Sequence, residues 1–99
     1  MPGMPQAKKA ASCALCGRAR GLTFHHFIPR TVHSNKWFRK NFTRREMQES
    51  GTDLCRDCHD FLHEQWTAKQ LGRELNSLEK LRADAAVEKF VRWVRKKRT

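Results

Sequence analysis

The sequence predicts a small α+β domain with two cysteine knuckles and a helical C-terminal extension. Three observations lead to this fold class. Two C-x-x-C pairs lie on either side of a β-prone segment, and the last third of the chain has helical periodicity. A chain of 99 residues supports one domain, and so small a core usually needs a disulfide or a bound metal to reinforce it.

Composition restricts the compartment. Only 38% of the residues are apolar, and no stretch approaches the roughly 18 apolar residues that cross a bilayer, so no membrane association is expected. The N-terminus lacks the apolar stretch of a secretory signal, so a reducing cytoplasm is the expected location. Four cysteines in that compartment indicate metal binding rather than disulfides.

Positive charge is concentrated at the two ends of the chain, whose net charge is +11. Residues 1–45 contain ten Lys or Arg and no acidic residue, whereas residues 46–91 contain six basic and ten acidic residues. This distribution suits a polyanion through counterion release from phosphates, so nucleic acid is the expected partner. A basic surface that serves only solubility is the alternative.

The first elements are a tail and a strand. Residues 1–10 contain two prolines, a glycine and no periodic pattern, which predicts a disordered tail before a core over residues 11–66. Residues 22–28 are β-prone and end at Pro29, which cannot continue a central strand.

A short helix is expected in the basic segment that follows. Thr43 can cap it, with Glu46 completing a capping box. The helix is expected to continue through Glu49 and to end at Gly51.

The remaining elements are helical. Residues 59–66 follow the second knuckle as a helix, and residues 67–99 are expected to pack on the same domain as further helices. Their expected caps are Thr67, Asn76 or Ser77, and Asp84. The last helix carries an apolar stripe, most simply explained as core, formed by Val87, Phe90, Val91 and Val94.

The cysteine pairs predict one structural Zn²⁺ site. Cys13-x-x-Cys16 and Cys55-x-x-Cys58 are separated by 38 residues. A two-residue gap lets one tight turn direct both sulfurs to a tetrahedral ion, so four thiolate ligands are expected. Such an ion would join the start of the chain to the start of a helix, and the apo protein is expected to be largely unfolded.

Other roles for the cysteines stay open at this point. A mixed site would combine one pair with two imidazoles, for example Cys13 and Cys16 with His25 or His26. The second pair with His59 also matches a c-type haem attachment motif, which requires export. A thioredoxin-like redox pair requires a βαβ context that the sequence lacks.

Four of the five histidines form two close pairs. His59 and His63 are four residues apart on the predicted helix, so their imidazoles share one face and can bind a single metal. His25 and His26 are neighbours on the predicted strand, where successive side chains point to opposite faces. Both can reach one site only if the chain bends, and Pro29 favours such a bend. Packing and surface hydrogen bonding are the alternative roles.

Together these motifs resemble the HNH, or ββα-metal, nucleases over about residues 12–66. The residues that carry the resemblance are Cys13-x-x-Cys16, His25-His26-Phe27-Ile28-Pro29 and Leu54-Cys55-x-x-Cys58-His59-x-x-x-His63. The resemblance implies a ββα-metal, treble-clef-like core, in which a β-hairpin and a helix bind one catalytic metal beside the thiolate-bound zinc.

The resemblance also implies a role for each histidine. His25, His59 and His63 match the ligands of a catalytic divalent ion, and His26 matches the general base. Three imidazoles favour Zn²⁺, Ni²⁺, Co²⁺ or Mn²⁺ over Mg²⁺. The implied reaction is hydrolysis of DNA phosphodiester bonds, which leaves 5′-phosphate and 3′-hydroxyl ends.

One position departs from the family pattern. The family normally has an Asn shortly before the second knuckle that holds the base-bearing loop, whereas residues 49–53 contain none. Ser50 or Thr52 could supply part of that hydrogen bonding. Asn35 and Asn41 lie farther upstream and would require a different loop path.

Residues 30–45 combine basic and aromatic side chains, as expected of a DNA-contacting element. Trp37 and Phe38 are expected in the core, with stacking on bases as the alternative. His33 is expected to contact a phosphate or a metal ligand, or to lie at the surface. The residues expected to contact phosphates are Arg30, Lys36, Arg39, Lys40, Arg44 and Arg45.

The sequence as a whole predicts a metal-dependent DNA endonuclease of the HNH type. The first alternative is a zinc module that binds nucleic acid without cutting it. The second is a zinc-stabilised adaptor whose helical C-terminus binds a protein partner.

Overall fold

The computed structural model describes residues 12–19 and 21–97 and shows a small α+β fold. The tail over residues 1–10 that the sequence predicts to be disordered lies outside the described residues. The described part contains a two-stranded sheet, β1 (Leu22–His26) and β2 (Gly51–Cys55). Its helices are a 3₁₀ turn (Arg30–Val32), α1 (Lys36–Asn41), α2 (Arg44–Glu49), α3 (Arg56–Gln65), α4 (Ala68–Glu74), α5 (Leu78–Ala83) and α6 (Ala85–Arg95).

The two strands pair antiparallel, with His25 opposite Thr52 and His26 opposite Gly51. β1 ends at His26, two residues before the predicted end. Helix α2 ends at Glu49, as predicted, but Gly51 does not adopt the left-handed conformation of a helix cap and is instead the first residue of β2. A Cβ at this position would collide with the main-chain oxygen of His25 and with the ring of Phe24. The glycine is therefore required by the close approach of the two strands.

Helix α3 begins at Arg56, three residues earlier than the sequence predicts. Its N-cap is Cys55, whose Sγ accepts a hydrogen bond from the Cys58 amide at 3.5 Å. A cysteine is not among the usual capping residues, which is why local sequence signals place the start too late. The helix packs against both strands and against α6, and its side chains Cys58 and Leu62 are fully buried.

The segment between the strands folds into the 3₁₀ turn, α1 and α2. Helix α2 has the predicted capping box, in which Thr43 and Glu46 each accept a hydrogen bond from the other's amide. This segment packs around a small core of its own, formed by Ile28, Val32, Phe38 and Met47.

The C-terminal helices follow the predicted caps. Thr67 forms a capping box with Gln70, and Ser77 and Asp84 accept hydrogen bonds at the starts of α5 and α6. The apolar stripe of α6 is confirmed as core. Together with the sheet and α3 it encloses the larger hydrophobic core, whose fully buried members include Leu54, Cys58, Leu62, Leu71, Leu81, Val87 and Val94. In the described part of the chain, each helix is too short and too polar to cross a membrane.

Candidate metal centres and active site

The four cysteines converge on one buried position, as the two C-x-x-C pairs predict. Their sulfurs all lie within 4.8 Å of one another, and Sγ of Cys16 is 3.6 Å from Sγ of Cys55. Sulfurs bound to one tetrahedral Zn²⁺ at about 2.3 Å would be about 3.8 Å apart. The cluster is therefore close enough to bind a metal ion, and it joins the first knuckle to the N-terminus of α3.

The thiols perturb one another strongly. A hydrogen bond with Cys58 lowers the pKa of the Cys13 thiol to about 4, and the same contact raises the pKa of Cys58. Burial raises the pKa of Cys16 to about 11. Four thiolates cannot share this buried space without a cation, so the donor set fits a divalent ion that favours the deprotonated form of each sulfur.

Helices α5 and α6 hold the backbone of the first knuckle. Arg82 donates a hydrogen bond to the main-chain oxygen of Ala14 at 2.9 Å. Arg95 donates to the main-chain oxygen of Cys16 at 3.1 Å. Two cationic side chains from the C-terminal extension thus bind carbonyl groups beside the sulfur cluster.

A second group of possible ligands is formed by His25, His59 and His63. One ring nitrogen from each lies within 4.8 Å of the others. The ring centroid of His25, on β1, is 5.1 Å from that of His59 and 5.6 Å from that of His63, both on α3. The i,i+4 spacing on the helix and the packing of α3 on β1 bring these three imidazoles together.

His25 is the buried member of this group, with no exposed surface. Burial, reinforced by the neighbouring His59, His63 and His26, lowers its pKa to about 3, so the imidazole is neutral. Among the described residues, neither of its ring nitrogens has a hydrogen-bond partner. Such a group normally costs free energy, and a metal ion bound to one nitrogen would remove part of that cost. The residues present therefore fit a bound divalent ion.

The contacts of the Thr23 hydroxyl favour one tautomer of His59. The Thr23 hydroxyl donates its single proton to the main-chain oxygen of Leu54 at 3.1 Å. Oγ1 also lies 2.8 Å from Nδ1 of His59, and both contacts are satisfied together when Nδ1 carries a proton and donates it to Oγ1. Nε2 of His59 is then left with its lone pair free for a metal. Sequence analysis missed this contact, which joins residues 36 positions apart.

His26 lies beside the three-imidazole group rather than within it. Its ring contacts those of Phe24 at 4.9 Å and His33 at 6.1 Å, centroid to centroid. Burial, followed by the charges of His33 and Arg30, lowers the pKa of His26 below its usual range. The charge of His26 in turn contributes to the lowered pKa of His59, whose main cause is burial.

Among the described contacts, no asparagine holds the turn that follows His26. Asn35 accepts a hydrogen bond from the Trp37 amide at 2.9 Å, and Asn41 donates to the Trp37 carbonyl at 2.7 Å, so both are used within α1. His33 instead contacts the main-chain oxygen of Ile28 at 2.7 Å. Three environments were predicted for His33, and a hydrogen bond to its own loop was not among them.

The six predicted phosphate contacts are all exposed and lie on the segment between the strands. Arg39 and Arg44 line a surface cavity of about 510 Å³ together with His33 and Phe42. Phe38 is buried, as expected for a core residue. The expectation that Trp37 also lies in the core is wrong, because the residue is 38% exposed and the guanidinium of Arg73 covers its ring at 4.4 Å from the centroid.

The sulfurs and the imidazoles form two separate ligand groups in the described part of the chain. This grouping favours the four-thiolate interpretation over a site that mixes cysteines with His25 or His26. The chain thus presents one buried sulfur cluster and one partly exposed imidazole cluster.

The chain is similar to a protein of Bacillus subtilis (strain 168) described as the uncharacterized protein YisB. The two are 33% identical over 93 residues, which cover 88% of this chain and 76% of YisB. No family model matches the chain, and no solved structure matches it significantly.

Proposed function

The chain belongs to the same family as YisB, whose description assigns no activity, and we propose that it is a metal-dependent DNA endonuclease of the HNH type. The observation that carries the proposal is the convergence of His25, His59 and His63, with both ring nitrogens of the buried His25 left without a partner among the described residues. This arrangement supports a ββα-metal core built from β1, β2 and α3.

The three imidazoles would hold one divalent ion, with Zn²⁺, Ni²⁺, Co²⁺ or Mn²⁺ favoured over Mg²⁺ by the nitrogen donors. When bound, such an ion supplies positive charge that stabilises the scissile phosphate and the leaving 3′ oxygen. His63 is exposed, so the cluster is accessible to a substrate from its side. The four cysteines would hold a separate structural Zn²⁺ that does not take part in the reaction.

His26 is the proposed general base. Its lowered pKa keeps the imidazole neutral at neutral pH, and a neutral imidazole can accept a proton. It would take one proton from the attacking water while the water oxygen bonds to phosphorus. The bond from phosphorus to the 3′ oxygen breaks, and the oxygen leaves as a 3′-hydroxyl after it gains a proton from solvent.

The exposed cations between the strands would bind the DNA backbone. This basic face follows directly after His26 in the chain. Contacts of this kind position a duplex and carry no base sequence information, which agrees with a non-specific phosphate surface. The face is formed by Arg30, Lys36, Arg39, Lys40, Arg44 and Arg45.

A plasmid-nicking assay with a panel of divalent ions tests the proposal. The wild type should relax supercoiled DNA with at least one of these ions. His26→Ala should lower the cleavage rate by roughly 10²- to 10⁴-fold, because it removes only the base. His59→Ala should also lose cleavage, together with the exchangeable ion, whereas both variants should retain one tightly bound zinc per chain.

Two results would contradict parts of this assignment. If His26→Ala cuts DNA at the wild-type rate, the general base is a different group. If the wild type binds DNA in a salt-sensitive manner but cuts it with none of the ions, the chain is a nucleic-acid-binding zinc module instead.

A further inference from the structure

Two hydrogen bonds hold the turn that follows His26. On one side, the Phe27 amide donates a hydrogen bond to the main-chain oxygen of Ser50 at 3.1 Å. On the other, Nε2 of His33 lies 2.7 Å from the main-chain oxygen of Ile28. A carbonyl oxygen only accepts hydrogen bonds, so Nε2 of His33 carries a proton and donates it.

The His33 side chain is not needed to close the 3₁₀ turn that precedes it. The backbone amide of His33 already donates to the main-chain oxygen of Arg30 at 3.1 Å. The imidazole instead crosses the turn to reach Ile28, and this brings its ring to 6.1 Å from the ring of His26. The contact therefore restrains the backbone immediately after His26.

We propose that His33 is a positioning residue whose Nε2–H holds the Ile28 carbonyl and thereby fixes the orientation of His26. The proposal rests on the endonuclease function above, in which His26 is the base. A base must stay within hydrogen-bond reach of the proton it removes. Two hydrogen bonds hold the two residues that follow His26, one at the Phe27 amide and one at the Ile28 carbonyl. Loss of the His33 side chain removes the second of these hydrogen bonds.

Two substitutions separate hydrogen bonding from other properties of the imidazole. His33→Ala removes the donor. His33→Gln keeps an N–H donor at a similar reach but cannot titrate near neutral pH. Thr31→Ala is the matched control, because Thr31 is exposed on the same turn and contributes nothing to the contact with Ile28.

Cleavage kinetics give the first readout. In His33→Ala we expect kcat to fall roughly 10- to 100-fold, the loss expected from a displacement of about 1 Å at the base. KM for DNA and the affinity of the three-imidazole cluster for Ni²⁺ should stay within about twofold of wild type, because the substitution leaves binding groups in place. His33→Gln should recover most of the lost kcat, and Thr31→Ala should behave as wild type.

Amide hydrogen exchange at Phe27 gives a second readout that needs no DNA. If His33 fixes this turn, protection of the Phe27 amide should decrease in His33→Ala and return in His33→Gln. Zinc content should be one per chain in all variants.

Several outcomes overturn the positioning role. They are wild-type kcat in His33→Ala, equal loss in the Ala and Gln variants, a joint loss of kcat and Ni²⁺ affinity, or unchanged Phe27 exchange in His33→Ala. A wild type that cleaves no DNA with any ion overturns the endonuclease proposal instead. The Phe27 exchange result then decides on its own whether His33 holds the turn.

Discussion

At the scale of single residues, the histidine cluster depends on which ring nitrogen carries a proton. The hydroxyl of Thr23 places the proton of His59 on Nδ1, and the carbonyl of Ile28 places the proton of His33 on Nε2. His25 has no such neighbour in the described residues and is kept neutral by burial. The contacts of His59 and His33 thus favour opposite tautomers, whereas no contact among the described residues selects the tautomer of His25.

Thr23 provides a direct test of the His59 tautomer. Thr23→Val keeps the shape of the side chain and its preference for a strand, but removes the oxygen that accepts from Nδ1 of His59. We expect the affinity of the zinc-loaded protein for Ni²⁺ to fall roughly 10- to 100-fold, the usual effect of losing a partner behind a metal-binding imidazole. Calorimetric titration with Ni²⁺ measures this change.

Thr31→Val is the control for that substitution, since Thr31 is an exposed residue of the 3₁₀ turn and is not a member of the three-imidazole group. Its Ni²⁺ affinity should equal that of the wild type. If Thr23→Val also binds Ni²⁺ as tightly as the wild type, the hydroxyl does not orient His59.

Residue-level features of the site were predictable where they depend on local periodicity. The four-residue spacing of His59 and His63 placed their rings on one face, and the structure has them 4.9 Å apart. The sequence favoured a bend that brings His25 and His26 to one site, but His26 lies beside Phe24 and outside the three-imidazole group, as regular strand alternation requires. Thr23 could not be identified in this way, because its contact with His59 exists only after α3 packs on β1.

At the scale of elements, Gly72 in α4 is placed where a side chain does not fit. A Cβ there would lie 2.6 Å from one ring carbon of Phe38 and 2.9 Å from another. Phe38 is 1% exposed and packed against Ile28, Val32 and Met47, so its ring has no space into which it can move. The glycine lets α4 pack closely on the segment between the strands.

Gly72→Ala should therefore destabilise the fold, although the same change in an exposed helix stabilises it by about 1 kcal/mol. We expect the free energy of unfolding to fall by about 1–3 kcal/mol, the cost of overpacking a core. Urea unfolding of the zinc-loaded protein measures it. In a Phe38→Leu background, which removes the ring, Gly72→Ala should be less destabilising. A stabilising effect of Gly72→Ala in the wild-type background would contradict the observed packing.

Four helix starts were predictable from the polar side chain that caps them, whereas α1, which Asn35 caps, was not predicted. Thr43, Thr67, Ser77 and Asp84 all cap helices at the predicted places, because capping is a contact over two or three residues. β2 carries no comparable local signal. Its residues pair with β1 because the two strands meet in three dimensions, and Gly51 allows them to do so.

At the scale of the whole molecule, the C-terminal extension contacts the first cysteine knuckle. Arg82 and Arg95 donate to carbonyl groups of the first knuckle, from helices that begin more than 60 residues later in the chain.

Near that knuckle, Asp57 accepts from Arg18 at 3.1 Å and lies 3.4 Å from Lys97. The hydrogen bonds and charges of these two cations outweigh burial, which acts in the opposite direction, and lower the pKa of the Asp57 carboxyl. The basic C-terminal residues were expected to bind a polyanion. In the structure, Arg95 instead binds a main-chain carbonyl group and Lys97 lies beside the Asp57 carboxylate.

Arg95 allows the contribution of this extension to metal retention to be measured. Arg95→Met keeps most of the aliphatic stem but removes the hydrogen bonds to the main-chain oxygens of Cys16 and Leu15. A charged hydrogen bond of this partly exposed kind contributes about 1 kcal/mol, so zinc should leave the protein roughly fivefold faster. Release to a chromogenic chelator gives the rate.

Arg92→Met is the matched control, because Arg92 lies on the same helix, is 73% exposed and pairs only with Glu88 at its surface among the contacts described. Equal release rates for the two variants would mean that α6 covers the zinc site without holding it.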